Sequence, residues 1–188
     1  MIDVLTDGDG LVLRTWRSSD LDAMTRLLTD PESLRWSPPV HARGPDWIAE
    51  RLAKAVQSAD DDDPTSFVIA IEHDPGPALG SIDFRRDLPI PPFSVVDVGY
   101  GLLPEARGRG VAARALRLLS AWVLSADGMD LERVQLDHAV ENVASCRTAD
   151  HAGFTKEGVR PRFLPLQDSP DAPVVFHDTC LHGLVRRP

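Results

Sequence analysis

A single domain that mixes β-strands and α-helices is the fold class that the sequence predicts, and three observations predict it. The chain has 188 residues, which is near the usual size of one domain. Hydrophobic residues make up 43% and charged residues 26% of the chain, an ordinary globular composition that argues against disorder. Segments with the alternation of strands and segments with the period of helices follow one another, with no internal repeat or linker. The predicted domain therefore spans residues 1–188.

The first half of the chain alternates between the two patterns. The stretch GLVLRTW alternates apolar and polar side chains like a first strand, and SSDLDAMTRLLTDPE then places Ser and Asp caps ahead of a helical pattern. Pro45 opens a second predicted helix, GPDWIAERLAKAVQSA. The segments SFVIAIEH and GSIDFRR indicate a β-hairpin, because the turn DPGPALG between them is rich in proline and glycine.

The second half contains the most regular helical pattern. A long strand is predicted in SVVDVGYGLLP, and a helix with apolar side chains at helical spacing follows it over residues 110–126. A strand in RVQLDHA and a helix in ENVASCRTADHAGF come next, and Gly153 ends that helix. Two further strands are predicted in TKEGVRPRFLP and VVFHDTCLHGL.

The charge of the chain limits its partners. Its 29 acidic and 20 basic side chains give a net charge of -9, which argues against nucleic acid because binding to phosphate backbones needs a positive surface. The sequence shows no signal segment, and no apolar run approaches the length of about 18 residues that a membrane span needs. We therefore expect a cytoplasmic protein without a membrane partner. Cys146 and Cys180 form no CxxC pair, so reduced thiols are expected.

The stretch PEARGRGVAARAL places glycines and arginines between the long strand and the regular helix. The first amides of a helix have no partner within it, and the helix dipole attracts an anion to them. Gly108 and Gly110 allow the main chain to approach such an anion, and Arg107, Arg109 and Arg114 add positive charge. The stretch therefore predicts a phosphate site, although it matches neither GxxxxGK[ST] nor GxGxxG.

Two motifs make the chain similar to the GNAT acetyltransferases. Arg107, Gly110 and Ala112 stand where that family has its Q/R-x-x-G-x-G/A loop. The segment ENVASCRTADHAGFTKEGV resembles the N-x-x-S helix and final G-F of the RimJ/RimL-like branch, and the two motifs occur in the order found in the family. The opening segment LVLRTWRSSDLDAMTRLLTDPESLRW and the central strands resemble the family too, so the resemblance covers most of residues 11–164.

The resemblance implies a fold and a cofactor. The GNAT fold is a mixed, mostly antiparallel sheet flanked by helices, in which two middle strands splay apart and hold acetyl-CoA. Here the splay is expected between residues 95–103 and residues 133–139. Free backbone groups of Leu102 and Leu103 are expected to bind the pantetheine arm, which Asn142 also contacts. The pyrophosphate is expected to bind the backbone amides of Arg107, Gly108, Arg109, Gly110, Val111 and Ala112.

The resemblance also implies a reaction, in which the acetyl group of acetyl-CoA is transferred to a primary amine of a peptide N-terminus or a small molecule. An α-amine has a pKa of about 7.7 to 8.0 and needs only a weak base, which favours it over lysine, whose pKa is about 10.4. An antibiotic or polyamine acceptor, a non-catalytic acyl-CoA sensor or scaffold, and a homodimer stay open. Trp36, Trp47 and Phe93 lie in segments that wall the acceptor side in the family, but aromatic residues at such spacing are more often core.

Ser145 and Asp97 are the candidate catalytic residues. Many GNAT enzymes carry a tyrosine acid on the N-x-x-S helix, and TADHAGF has none, so Ser145 is the candidate donor to the leaving thiolate. The alternative is a helix serine that bonds its own backbone. Asp97 stands where relatives carry a glutamate and is the candidate base, or else a strand-end carboxylate paired with an arginine. Glu141 and His138 compete for that role, and His138 has the more suitable ordinary pKa of about 6.5.

No metal site is expected from the sequence. The segment HDTCLH contains metal-ligand side chains, but strand alternation sends His177 to the face opposite to Cys180 and His182. The acidic run at residues 60–63 is interpreted as a solvated loop, because consecutive carboxylates in a loop rarely converge.

Overall fold

A computed structural model describes residues 4–39, 44–61, 64–71, 78–86, 94–169 and 171–186. Phe93, the start of the turn DPGPALG and part of the acidic run lie outside the described residues. The strands are β1 (Val4–Thr6), β2 (Leu11–Arg14), β3 (Ser66–Ile71), β4 (Gly80–Arg85), β5 (Val95–Leu102), β6 (Arg133–Ala139), β7 (Thr155–Leu166) and β8 (Val175–Val185). The helices are α1 (Leu21–Thr29), α2 (Pro31–Arg35), α3 (Pro45–Asp60), α4 (Val111–Leu124) and α5 (Val143–His151).

These strands form one sheet that opens in its middle. Their order is β1-β2-β3-β4-β5-β6-β8-β7, and every neighbouring pair is antiparallel except β5 and β6. The parallel pairing joins Val95–Asp97 to residues 133–135 and goes no further. β5 continues to Leu102 and β6 to Ala139, so the two strands diverge after Asp97. The expected mixed, mostly antiparallel sheet and the place of its splay are confirmed.

Each face of the sheet buries a separate apolar core. One face, called here the α4 face, packs against α4 and α5. Its core includes Leu11, Leu13, Phe67, Ile69, Ile82, Phe84, Val96, Val98, Leu116, Leu119, Leu136 and Ala149. The opposite face, called the α3 face, packs against α1 and α3 through Val12, Val68, Met24, Leu27, Ile48 and Leu52. Side chains of one strand alternate between these two faces.

The first predicted strand is buried on both faces, although its sequence reads as half-buried. Leu11 and Leu13 lie in the core of the α4 face and Val12 in that of the α3 face. Arg14 is buried as well, because its guanidinium donates two hydrogen bonds of 2.8 Å to the Asp20 carboxylate. Asp20 therefore holds an arginine and makes no side-chain cap for α1. The short edge strand β1 was not predicted from the sequence.

The helix boundaries agree closely with the sequence patterns. α3 starts at Pro45, as predicted, and α4 occupies Val111–Leu124 within the predicted range 110–126. Gly153 has a φ of 90° and lies just after α5, where a left-handed residue ends a helix. Within the described ranges no helix has both the length and the apolar character that crossing a membrane requires. Both cysteines are free thiols.

Candidate active site

The loop between β5 and α4 has the shape of an anion site. Gly108 and Gly110 have φ values of 70° and 74°, a left-handed region that side chains other than glycine enter at a cost. No atom lies within 4 Å of the position that a Cβ would take on either glycine, so the space beside them is open. Among the described residues, no backbone carbonyl accepts a hydrogen bond from the amides of residues 108–112. These amides are therefore available to a phosphate group.

Arg107 braces this loop instead of pointing freely at a ligand. Its guanidinium donates to the carbonyl oxygen of Leu102 at 2.9 and 3.1 Å and forms an ion pair with Asp30 of the turn before α2. Its amide donates to the Pro104 carbonyl oxygen at 3.2 Å. The expectation that the amide of Arg107 is free for the pyrophosphate is therefore wrong. The Asp30 ion pair also ties the loop to the helix pair α1 and α2.

The other two arginines of the loop differ in their freedom. Arg114 donates to the Asp7 carboxylate at 2.8 Å and to the Asp9 carbonyl oxygen at 2.9 Å. The Asp7 carboxylate therefore largely neutralises the charge of Arg114. Arg109 makes no ion pair among the described residues, and its one hydrogen bond there, to the Glu105 carbonyl oxygen, is 3.5 Å long. Arg109 is thus the loop arginine best placed to meet a phosphate.

The open edge of β5 offers backbone groups, but fewer than expected. The amide of Leu103 donates to the Leu79 carbonyl oxygen at 2.9 Å, and the carbonyl of Leu103 accepts from the Ala106 amide at 3.0 Å. The expectation of free backbone groups at Leu103 is therefore wrong. The carbonyl of Leu102 holds Arg107, whereas by alternation along the strand its amide faces the opening. Leu102 remains the candidate for the pantetheine arm.

Asn142 and Ser145 form the start of α5. The side-chain oxygen of Asn142 accepts a hydrogen bond from the Ser145 amide at 3.1 Å, so Asn142 is the N-cap of the helix. The hydroxyl of Ser145 does not bond its own helix backbone; it lies 2.8 Å from the hydroxyl of Tyr100. The local-backbone alternative for Ser145 is therefore wrong.

Tyr100 supplies from the sheet the phenol that α5 lacks. It is the only tyrosine of the chain, and it projects from β5 at the opening onto the α4 face. Burial raises the pKa of Tyr100, so its hydroxyl stays protonated and can donate. A strand residue and a helix residue thus present paired hydroxyls at one side of the opening.

Three carboxyl groups, called here the acidic patch, lie across the α3 face at the other side of the opening: Asp83 of β4, Asp97 of β5 and Asp137 of β6. Asp83 faces Gly99 in register and Asp97 faces Gln135, which places all three on one face by strand alternation. The Gln135 amide donates to Asp97 at 2.8 Å, so within the described part of the chain Asp97 is held by an amide and pairs with no arginine.

Two members of the acidic patch have perturbed pKa values. Burial raises the pKa of Asp83, against the opposing attraction of Arg51 and Arg85. Burial also raises the pKa of Asp137, although the Arg160 guanidinium donates to it at 2.7 Å, and the charge of Asp97 adds to the rise. Carboxyl groups with a raised pKa beside an opening are candidate proton acceptors.

The two competing base candidates lie elsewhere. His138 projects from β6 onto the α4 face, where burial lowers its pKa and Nδ1 lies 2.8 Å from the Ala139 carbonyl oxygen. Glu141 is exposed and lies 3.2 Å from Nδ1 of His177. The structure brings neither of them to the acidic patch.

Comparison with known proteins agrees with this geometry. Residues 10–155 match the family model for the acetyltransferase (GNAT) domain. The chain belongs to the GNAT family. This GNAT protein is an acyl-CoA-dependent N-acetyltransferase, as the sequence motifs predicted. No curated protein is similar enough in sequence to be matched.

Solved structures share the fold of this GNAT protein. An acetyltransferase (GNAT family) from Bacillus anthracis has 15% sequence identity over 97% of this chain and 98% of that chain, with a TM-score of 0.78. The ribosomal-protein-S5-alanine acetyltransferase from Vibrio fischeri has 21% identity over 99% and 100%, with a TM-score of 0.77. Mycobacterium smegmatis RimJ, in complex with CoA-disulfide, has 20% identity over 97% and 85%, with a TM-score of 0.72. The predicted RimJ/RimL-like branch is thus represented among proteins of the same fold.

Sequence reasoning missed three residues of the candidate site: Tyr100, Asp83 and Asp137. Tyr100 stands in the Gly-Tyr-Gly run of β5, and its parity with Val96 and Val98 places it on the helix side. Asp83 and Asp137 alternate with buried residues on strands that flank β5. That parity was a usable signal, but only once the order of the strands was known.

Proposed function

We propose that this GNAT protein transfers the acetyl group of acetyl-CoA to a cationic primary amine that approaches the opening from the α3 face. The observation that carries the proposal is that two kinds of side chain lie on opposite faces of the sheet at its opening. Hydroxyl donors lie on the α4 face, and carboxyl groups lie on the α3 face. Acetyl-CoA supplies the activated acetyl group when it is bound.

The residues of the opening fit acetyl-CoA in three places. The free amides of residues 108–112 and the charge of Arg109 suit the pyrophosphate. The outward amide of Leu102 and the side-chain amide of Asn142 suit the pantetheine arm. Tyr100 and Ser145 then lie on the side where the sulfur of the thioester is expected.

The acidic patch provides attraction for the acceptor and a place for its proton. Asp83, Asp97 and Asp137 attract an ammonium group, and their arrangement over neighbouring strands suits one amine cation among several oxygens. A carboxylate of the patch takes a proton from the amine, directly or through water, and leaves a neutral nucleophile. A raised pKa brings a carboxyl group closer to the pKa of the amine, which makes proton transfer from the amine less unfavourable. Asp83 and Asp137 therefore join Asp97 as base candidates.

The hydroxyl pair acts on the leaving group. As the C–N bond forms and the C–S bond breaks, negative charge develops on sulfur, and the hydroxyls of Ser145 and Tyr100 hydrogen-bond or protonate it. The phenol of Tyr100 at the opening supports turnover over a non-catalytic sensor, although the segment TADHAGF has no tyrosine.

The acceptor class follows from the same charges. A peptide α-amine is the first candidate, because its ordinary pKa of about 7.7 to 8.0 suits a carboxylate base. A polyamine is the second, because three carboxyl groups on one face suit a molecule with several positive charges.

The test measures thiol release from acetyl-CoA with three acceptors: a peptide with a free α-amine, the same peptide with that amine blocked and a lysine retained, and spermidine. We expect turnover with the free α-amine or with spermidine, and little with the blocked peptide. The acidic-patch variant Asp97→Asn should lower kcat/KM for the accepted amine while CoA affinity by calorimetry stays unchanged. Tight CoA binding without amine-dependent thiol release would refute the proposal.

A further inference from the structure

A second cluster of reactive side chains lies on the α4 face, outside the acetyl-transfer machinery. It consists of His138 near the end of β6, Cys146 in the first turns of α5 and His182 of β8. His182 faces Leu136 in register, two residues before His138, so both imidazoles point to the same face. Cys146 approaches them from the helix. The reaction proposed above uses none of the three.

The three ligand atoms converge. Nε2 of His138 lies 3.2 Å from Nε2 of His182, and the Cys146 sulfur lies 3.7 Å from the same atom of His182. All three atoms lie within 4.8 Å of one another. The imidazole centroids are 5.2 Å apart, which is much farther than their Nε2 atoms, so the two rings approach each other through those nitrogens.

The two separations that include His182 fit a tetrahedral ion. Bonds of about 2.0–2.1 Å to nitrogen and about 2.3 Å to sulfur place two nitrogens about 3.3 Å apart and a nitrogen and a sulfur about 3.6 Å apart. The observed values for the two pairs that include His182 are 3.2 and 3.7 Å, and the third pair, Nε2 of His138 and the Cys146 sulfur, lies within 4.8 Å. Imidazole nitrogen together with thiolate is the donor set that zinc and similar borderline-soft ions prefer over magnesium or calcium.

The hydrogen bonding of His138 also suits a ligand. Its Nδ1 lies 2.8 Å from the Ala139 carbonyl oxygen, which can only accept, so Nδ1 carries the proton. The Nε2 atom of neutral His138 is then an unprotonated donor atom aimed at the cluster. A backbone carbonyl that fixes the tautomer of a histidine is a common support of metal-ligating imidazoles.

We propose that His138, Cys146 and His182 bind one zinc ion, or a divalent ion of similar softness, through two Nε2 nitrogens and one thiolate. On binding, the Cys146 S–H bond breaks, its proton passes to solvent, and the sulfur bonds the ion; no electrons are transferred. Water fills the fourth position. Cys180 lies on the same face of β8, opposite His138 in register, and belongs to the surroundings of the site.

The ion would fix α5 to the sheet. Cys146 follows Ser145 directly and lies one turn after the Asn142 cap, so an ion shared with β6 and β8 holds both residues in place. His138 and His182 are buried, so both imidazole ligands lie away from bulk solvent. The site is therefore a positioning element and does not touch the acetyl group.

The test uses Co²⁺ as a spectroscopic probe on the full chain after chelator treatment and dialysis. We expect one Co²⁺ per chain, with the visible bands of a tetrahedral site and a sulfur-to-cobalt charge-transfer band, and displacement of Co²⁺ by Zn²⁺ but not by Mg²⁺. Zn²⁺ should also raise Tm with increasing concentration, because it binds the folded state.

Variants locate the site. Cys146→Ser should abolish the charge-transfer band, and His182→Gln should weaken Co²⁺ binding by roughly tenfold or more. Cys180→Ser and the control His177→Gln, which changes a half-buried histidine outside the cluster, should keep one Co²⁺ per chain with the band intact. Circular dichroism of Cys146→Ser, whose side chain is half-buried, checks that the fold survives. The proposal fails if wild type binds no Co²⁺ at this stoichiometry, if Cys146→Ser retains the band, or if Cys180→Ser loses it.

Discussion

The hydroxyl pair of Tyr100 and Ser145 makes the sharpest prediction about catalysis. The variants are Tyr100→Phe, Ser145→Ala and the double variant. The two hydroxyl oxygens lie 2.8 Å apart in a half-buried setting, so each single change removes one neutral hydrogen bond. Such a bond contributes about 1 kcal/mol to the free energy of unfolding. For a chain of this size the expected decrease in Tm is about 2–4 °C.

The expected effect on turnover is much larger. A donor that protonates the thiolate contributes roughly 10² to 10⁴-fold to kcat, about 3 to 5 kcal/mol, because its interaction strengthens as charge develops on sulfur. We therefore expect each single variant to lower kcat about 10²-fold or more, with CoA affinity nearly unchanged. Because the hydroxyls act as a unit, the double variant should be little worse than the worse single variant.

The assay is steady-state thiol release with one accepted amine, together with calorimetry of CoA binding. Burial raises the pKa of Tyr100, so kcat should show no loss from phenol ionisation between about pH 7 and 9. Ser66→Ala is the matched control, because it removes a hydroxyl bonded to Trp16 at 3.1 Å, away from the opening. The control should lower Tm similarly and leave kcat unchanged. A decrease in kcat of tenfold or less in both single variants would refute a role in proton donation.

Three further predictions follow from the loop, the helix cap and the acidic patch. Gly110→Ala should weaken CoA binding measured by calorimetry and lower the free energy of unfolding by about 1–2 kcal/mol, since φ is 74° there. The control Gly10→Ala, at φ 85°, should show the same loss of stability with CoA affinity intact. Equal CoA affinity in both variants would remove the phosphate-loop assignment. Asn142→Ala should lower the free energy of unfolding by about 1 kcal/mol and raise KM for acetyl-CoA. Asn142→Asp, which keeps the cap, should raise KM alone. An unchanged KM in Asn142→Asp would mean that Asn142 acts only as a helix cap. Asp83→Asn should raise Tm at pH 7 while kcat falls. The pKa of Asp83 is raised in the folded state, so the folded state binds more protons than the unfolded state. The stability of the wild type therefore declines as pH rises from about 4 through the folded pKa. Melting curves from pH 4 to 8 check this, and a lower Tm at pH 7 in the variant would contradict it.

The sequence by itself determined the features that depend on local chemistry. The paired glycines before α4 predicted a loop with open amides, and among the described residues the amides of residues 108–112 donate to no backbone carbonyl. Asn142 is a residue type favoured at N-caps and stands three residues before Ser145, and its side chain accepts a hydrogen bond from the Ser145 amide. Such features are readable because the atoms that interact are only a few residues apart, so spacing along the chain nearly determines their geometry.

Only the tertiary structure decided which distant side chains meet. Tyr100 and Ser145 are 45 positions apart, and His138 and His182 are 44 apart. Asp83 joins Asp97 and Asp137 only because β4, β5 and β6 are neighbours in the sheet. Arg107, expected to serve a phosphate, instead holds the Leu102 carbonyl and Asp30. Strand order, register and the packing of α5 set these contacts, and they follow from burying two apolar cores at once, a condition that no short stretch of sequence contains.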